Sequence, residues 1–139
     1  MALKWNGKEV SADLIEAFIR GSMLTAEDIL TVSGNSVPRD TGTLARSGTI
    51  TFDRSPEPET TYNEAKVKSV DSDSEYSSNI RKIYISYSTP YAWRQHEDLQ
   101  LNHPNGGQAK YLEKAVNQVG TAEKLRRNII IMARKLGLR

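Results

Sequence analysis

Cysteine is absent from this chain of 139 residues, and with it go disulfides, zinc ribbons and thiol catalysis. The absence fits synthesis in a reducing cytoplasm. Long apolar runs are missing as well. Near the C-terminus the longest is residues 129–133 (IIIMA), far short of the roughly 20 residues that cross a bilayer, and the opening MALKWNGKEV carries no apolar signal segment. No membrane partner is expected. The formal charge is only +2, too small by itself to argue for nucleic acid.

Metal and cofactor signals are also lacking. His96 and His103 are followed by no H-E-x-x-H spacing, since Glu97 and Asp98 lead to Leu99 and Gln100. No glycine-rich loop runs into Lys and Ser or Thr as a P-loop would, and GNSVPRDTG has neither the strand nor the spacing of a dinucleotide fingerprint. The expectation is therefore no metal, no cofactor and no catalytic residue.

What remains is a chain with 37% apolar and 26% charged residues, long enough for one domain with a real core over residues 1–139. Residues 10–32 predict a long helix in which Leu14, Ile15, Phe18, Ser22, Ala26, Ile29 and Leu30 recur to give one apolar face, with Ser11 as N-cap and Gly34 and Asn35 as the stop. Residues 49–52 and 80–87 predict strands, the second placing Ile83, Ile85 and Tyr87 on one face. Between them residues 54–79, rich in Ser, Glu, Asp and Pro, predict a flexible hairpin or loop, with a third, exposed strand around 62–70. A turn at Thr89 and Pro90 leads to a short helix, HPNGG (103–107) is a loop, and two helices follow on either side of Gly120. The class is α+β: a long N-terminal helix, a small antiparallel sheet with a long acidic excursion, and C-terminal helices.

One short motif invites an enzymatic reading. Asp40, Thr41 and Gly42 spell the D-T-G of retroviral-type aspartic proteases. Such a protease needs two carboxylates sharing a proton in an apolar surround, and its tripeptide follows an apolar strand. Here Pro38 and Arg39 precede Asp40 and Arg46 follows it. Local physics favours a turn or cap role, with the Asp40 carboxylate accepting backbone N–H groups and Gly42 permitting a tight turn. The C-terminal end is cationic, with Lys124, Arg126, Arg127, Arg134 and Lys135. These are a possible DNA contact through phosphates, or a solvated helix face whose last cations complement the helix dipole.

Val37, Pro38, Asp40, Thr41, Gly42, Leu44 and Ser47 form V-P-x-D-T-G-x-L-x-x-S, a pattern that resembles the signature of small neck and tail-component proteins of tailed bacteriophages. IYISYSTPYAWRQHE and AKYLEKAV resemble two later segments of that family, in the same order. Related minor capsid proteins share similar patterns. The chain departs from the family where Glu97 is followed by Asp98 and Leu99 instead of an early glycine, and in the length and acidity of residues 54–79.

The resemblance implies a structural virion protein, assembled in the host cytoplasm, that acts in head-tail joining or tail completion as a homo-oligomeric ring, and it allows a monomer when the chain is isolated. Its partners would be head-completion, connector or tail proteins, with DNA passing nearby but not specifically bound. The resemblance also implies that Asp40 is a structural residue at the bend after the first helix, that Leu44 packs into the core, and that Arg39 and Arg46 face solvent or a neighbouring subunit. Thr89, Pro90, Tyr91, Trp93 and Glu97 are the candidate interface, and residues 57–75 a candidate arm that orders on meeting a neighbouring ring. Tyr91 and Trp93 could instead fill the core.

Overall fold

The computed structural model describes residues 7–39, 42–54, 69–70 and 80–138. Its longest element is α1, Gly7–Ser36. The helix begins earlier than Ser11 and runs through Gly34 and Asn35, which were expected to end it. Gly34 is buried within the helix. The stop falls at Ser36 because Pro38 disfavours helical backbone at Val37.

α1 has two working flanks, as 3.6 residues per turn dictates. Ala26 and Leu30 join Ile50 and Phe52 in one apolar cluster, with Ile83, Ile85 and Tyr87 packed against it. The other flank receives two helices, α4 (Tyr111–Val119) and α5 (Ala122–Lys135). A Cβ at Gly21 would lie 2.5 Å from the Cα of Ile129, and one at Gly120 2.9 Å from Ile29 Cδ1, so α5 runs antiparallel along α1 at near backbone contact. Asn128, buried on α5, donates from Nδ2 to Thr25 Oγ1 (2.9 Å) within that seam. A buried amide is tolerable there because it has a partner.

β1 (Gly48–Phe52) is buried along its whole length. It pairs antiparallel with β3 (Ile83–Tyr87), Gly48 opposite Tyr87 and Phe52 opposite Ile83, and parallel with the two-residue β2 (Ser69–Val70), giving the order β2-β1-β3. The α+β arrangement with its antiparallel pair is thus present, and the third strand joins it in the parallel sense. Of the third strand expected around 62–70, residues 62–68 lie outside the described residues.

β3 starts at Ile83 instead of Ile80 for a local reason. Asp53, at φ 59°, turns the chain out of β1, and its Oδ1 accepts the backbone N–H groups of Arg81 (2.8 Å) and Lys82 (2.9 Å). These two residues precede the β1–β3 register. The same bonds hold the Asp53 carboxyl below its ordinary pKa.

The N-terminal half of α1 departs from expectation. Leu14, Ile15 and Phe18 were read as part of the apolar face of the helix, yet they are 54%, 51% and 56% exposed. Phe18 still borders Ile80, Ile83 and Ile85 across a groove, but at these exposures none of the three is packed as core among the described residues. The C-terminal helices follow their periodicity: Leu125, Ile129, Met132, Ala133 and Leu136 are all partly buried. No helix among the described residues is long and apolar enough to cross a membrane.

Candidate functional site

The end of α1 enters a second apolar cluster made of Val37, Leu44, Ala45, Ala92 and Tyr111, with Tyr87 and Leu112 against it. Val37 is fully buried and donates its N–H to Ser33 O (2.8 Å), closing the helix. Gly42, at φ +80°, turns the chain into the one-turn helix α2 (Thr43–Arg46), which inserts Leu44 at 3% exposure. Ser47, also buried, donates its Oγ–H to Leu44 O (2.7 Å). Asp40 and Thr41 lie outside the described residues.

After β3, Thr89 O accepts the N–H of Ala92 (3.0 Å) and the short helix α3 (Ala92–Glu97) begins. Ala92 is buried, and its carbonyl accepts the hydroxyl of Tyr111 (3.2 Å). Tyr111 stands edge-on to Tyr87 (5.1 Å) and to His96 (5.0 Å). Burial raises the pKa of both tyrosines, that of Tyr87 to about 12.

The candidate interface residues divide. Thr89 is buried, with no hydrogen-bond partner for its hydroxyl among the described residues, so it belongs to the corner itself and not to a contact surface. Pro90 and Tyr91 are exposed, and Trp93, at 76% exposure, is the most open large apolar side chain described. The alternative of Tyr91 and Trp93 as core filling is set aside by those exposures. Glu97 accepts from His96 Nδ1 (2.6 Å) and from Lys110 Nζ, and Lys110 also pairs with Glu113 (3.2 Å). The Lys110 bond, then the His96 bond, hold the Glu97 carboxyl below its ordinary pKa, and Glu97 and Glu113 raise that of Lys110. Lys110 sits in left-handed backbone at φ 57°, its N–H donating to His96 O (2.7 Å). Sequence reading missed this clamp, because nothing in the spacing of residues 96, 97 and 110 announces it.

The HPNGG loop was read as a loop and is one. It docks on the end of α1: Gln108 N–H donates to Ser36 O (2.9 Å) and Arg39 N–H to Gly106 O (3.3 Å). Gly107, at φ +93°, lies so close that a Cβ there would be 2.4 Å from the Cα of Pro38. Its doubled glycine was the one available signal for that approach.

Around this junction opens a cleft of about 520 Å³, walled by Pro38, Arg39, Thr43, Leu44, Tyr91 and Gln95 and closed by residues 102–106. The Arg39 guanidinium donates to Gly34 O (3.1 Å) from an exposed side chain, as expected for Arg39. Arg46, expected in the open, is half-buried instead, and its guanidinium lies beside Gly42. No described lining residue is acidic.

A second, apolar groove of about 300 Å³ lies between Phe18 on α1, Ile80, Ile83 and Ile85, and Leu125. On α5, Arg126, Arg127, Arg134 and Lys135 are exposed and Lys124 is half-buried, with Arg134 and Lys135 in the last turn, where cations suit the dipole. Among the described residues no group of His, Cys, Asp and Glu could hold a metal ion. No protein-family model, curated protein or solved structure matches the chain.

Proposed function

We propose that this chain is a structural virion protein of a tailed bacteriophage or prophage, acting at the neck in head-tail joining or tail completion by ring assembly. One observation carries the reading. The three separated segments that bear the family resemblance contribute Val37 and Leu44, then Ala92, then Tyr111 to a single buried cluster. Segments that recur together in a signature are expected to touch, because a shared core is what keeps them together.

Its work would be done by shape and contact, without catalysis. A ring closes when one surface of each copy meets a different surface of the next. The bare Leu14, Ile15 and Phe18 stripe on α1 and the exposed Trp93 on α3 supply two separate apolar surfaces of that kind. Neighbouring connector, head-completion or tail proteins would contact the ring in the virion. The test is electron microscopy of lysates from the parent phage with the gene interrupted before Val37. Filled heads beside separate tails are the expected outcome, and intact infectious particles would sink the reading.

A second reading rests on the four exposed cations of α5, which make a surface suited to phosphates. A nucleic-acid-binding accessory domain would hold duplex DNA with an affinity that falls steeply with salt. Under the neck reading, the purified chain shows little such binding.

A further inference from the structure

We infer that the apolar groove between α1 and β3 receives Trp93 of a second copy of this chain, so that α3 of one copy plugs into the next; the inference rests on the ring reading and names the contact that builds the ring. The groove holds about 300 Å³, at the bottom of the roughly 300–1,000 Å³ range of small-molecule pockets. It suits one large side chain better than a lipid or a whole cofactor. Its described lining is apolar except for Ser22, Thr25 and Arg81, and none of it is acidic.

Those three side chains select what enters. Ser22 donates its hydroxyl proton to Phe18 O (2.7 Å), which leaves its Oγ as an acceptor. Thr25 is already used, donating to Gly21 O (2.9 Å) and accepting from Asn128 (2.9 Å). Arg81 is exposed and is the one charge in the described lining. The matching group is flat and apolar, has one hydrogen to donate, carries no positive charge and offers a π face to a guanidinium. An indole meets each requirement: its only polar atom is a donor N–H, and its face attracts a cation better than that of any other aromatic side chain. Phe18, 56% exposed, adds a ring for edge or offset packing.

The chain has two tryptophans. Trp93 is 76% exposed and does not line the groove of its own copy. Its helix is anchored, because Ala92 is buried and the Ala92 carbonyl accepts the Tyr111 hydroxyl (3.2 Å). Trp93 therefore enters the groove of another copy. Trp5 lies outside the described residues, and its own chain keeps it away from Ser22. Two residues before Gly7, its backbone extends at most about 7 Å from the start of α1, whereas Ser22 lies about 22 Å along that helix. Groove and Trp93 are different patches of one surface, so the contact is heterologous and repeats from copy to copy. A tryptophan desolvated in a pocket is also the kind of side chain that dominates interface energies.

The absence of cysteine makes a cross-linking test clean. Full-length Arg94→Cys, altered beside Trp93, and full-length Lys82→Cys, altered beside Arg81, are mixed and treated with a bis-maleimide. A mixed dimer is expected. Trp93→Ala in the first protein, or Phe18→Glu in the second, should cut its yield by about tenfold or more, the scale of truncating a central tryptophan. Trp93→Ala placed instead in the Lys82→Cys protein, whose groove is intact, should leave the yield unchanged, which separates a lost contact from a lost fold. No mixed dimer at millimolar protein, a yield that survives Trp93→Ala in the first protein, or an equal yield with Arg126→Cys on α5 in place of Lys82→Cys would each overturn the inference. Separate heads and tails after gene interruption, with no mixed dimer, would leave the neck reading standing and remove this contact. A mixed dimer with intact particles would keep the contact and remove the neck reading.

Discussion

The hydroxyl groups of Ser33 on α1 and Tyr87 on β3 lie 2.7 Å apart. Ser33 already donates its own proton to Leu30 O (3.1 Å), so the bond to β3 runs from the Tyr87 O–H to Ser33 Oγ. Tyr87 also touches both apolar clusters. It is thus the side chain through which the sheet, the long helix and the cleft region share one core.

Removing either member of that pair should cost on the order of 1 kcal/mol, with Ser33→Ala slightly worse because it leaves the phenol without its partner. Chemical denaturation of Ser33→Ala, Tyr87→Phe and the double variant would show the two losses to be non-additive. The pair also sets an alkaline limit. The folded state holds the Tyr87 proton to about pH 12, whereas an unfolded chain releases it near 10. Its stabilisation is complete below pH 10 and disappears as pH rises towards 12. Tyr87→Phe should lose less stability over that window.

Gly106 and Gly107 give a matched comparison, since both have positive φ (+94° and +93°) but only Gly107 is in contact with Pro38. Alanine at 106 should cost backbone strain alone, about 1–2 kcal/mol. Alanine at 107 adds a collision with backbone and should cost about 2–5 kcal/mol while displacing the loop that closes the cleft. Urea unfolding of the two variants, with the Arg39 amide shift as a local reporter, checks both.

The sequence made elements legible wherever periodicity and punctuation agreed. The helices around Gly120 and the strand ending at Tyr87 follow from their own residues, and the buried Leu44 was implied by the motif. What stayed hidden depends on partners distant in the chain. Gly34 reads as a stop, yet in α1 it is buried inside the helix. Residues 80–82 read as strand until Asp53 takes the N–H groups of Arg81 and Lys82. The cleft could not be read at all, because its described walls come from residues 38–39 and 42–44, from Tyr91 and Gln95, and from residues 102–106, which only the fold brings together.

Glu97→Gln tests the clamp that fixes Lys110 at the start of α4. Its carboxylate is held ionised by Lys110 and His96, so its contribution is present above the ordinary carboxylate pKa of 4.5 and is lost as pH falls through the lowered folded value. The variant should melt below the parent protein at neutral pH, and the difference should shrink as both are acidified. A gap that stays constant with pH would show that packing, and not charge, is what the substitution removed.

Leu14→Glu and Ile15→Glu separate folding from assembly. Were these side chains core, removing their apolar bulk would cost about 2–5 kcal/mol. At 54% and 51% exposure they should change monomer stability by no more than about 0.5 kcal/mol. The stripe would then matter only where another surface covers it, and a charge buried there without a partner is strongly unfavourable. Both variants should therefore unfold like the parent in urea yet fail to restore joined particles when supplied to the interrupted phage. Normal particle assembly with either charge in place would remove the α1 stripe from the ring interface and leave the Trp93 surface to carry it.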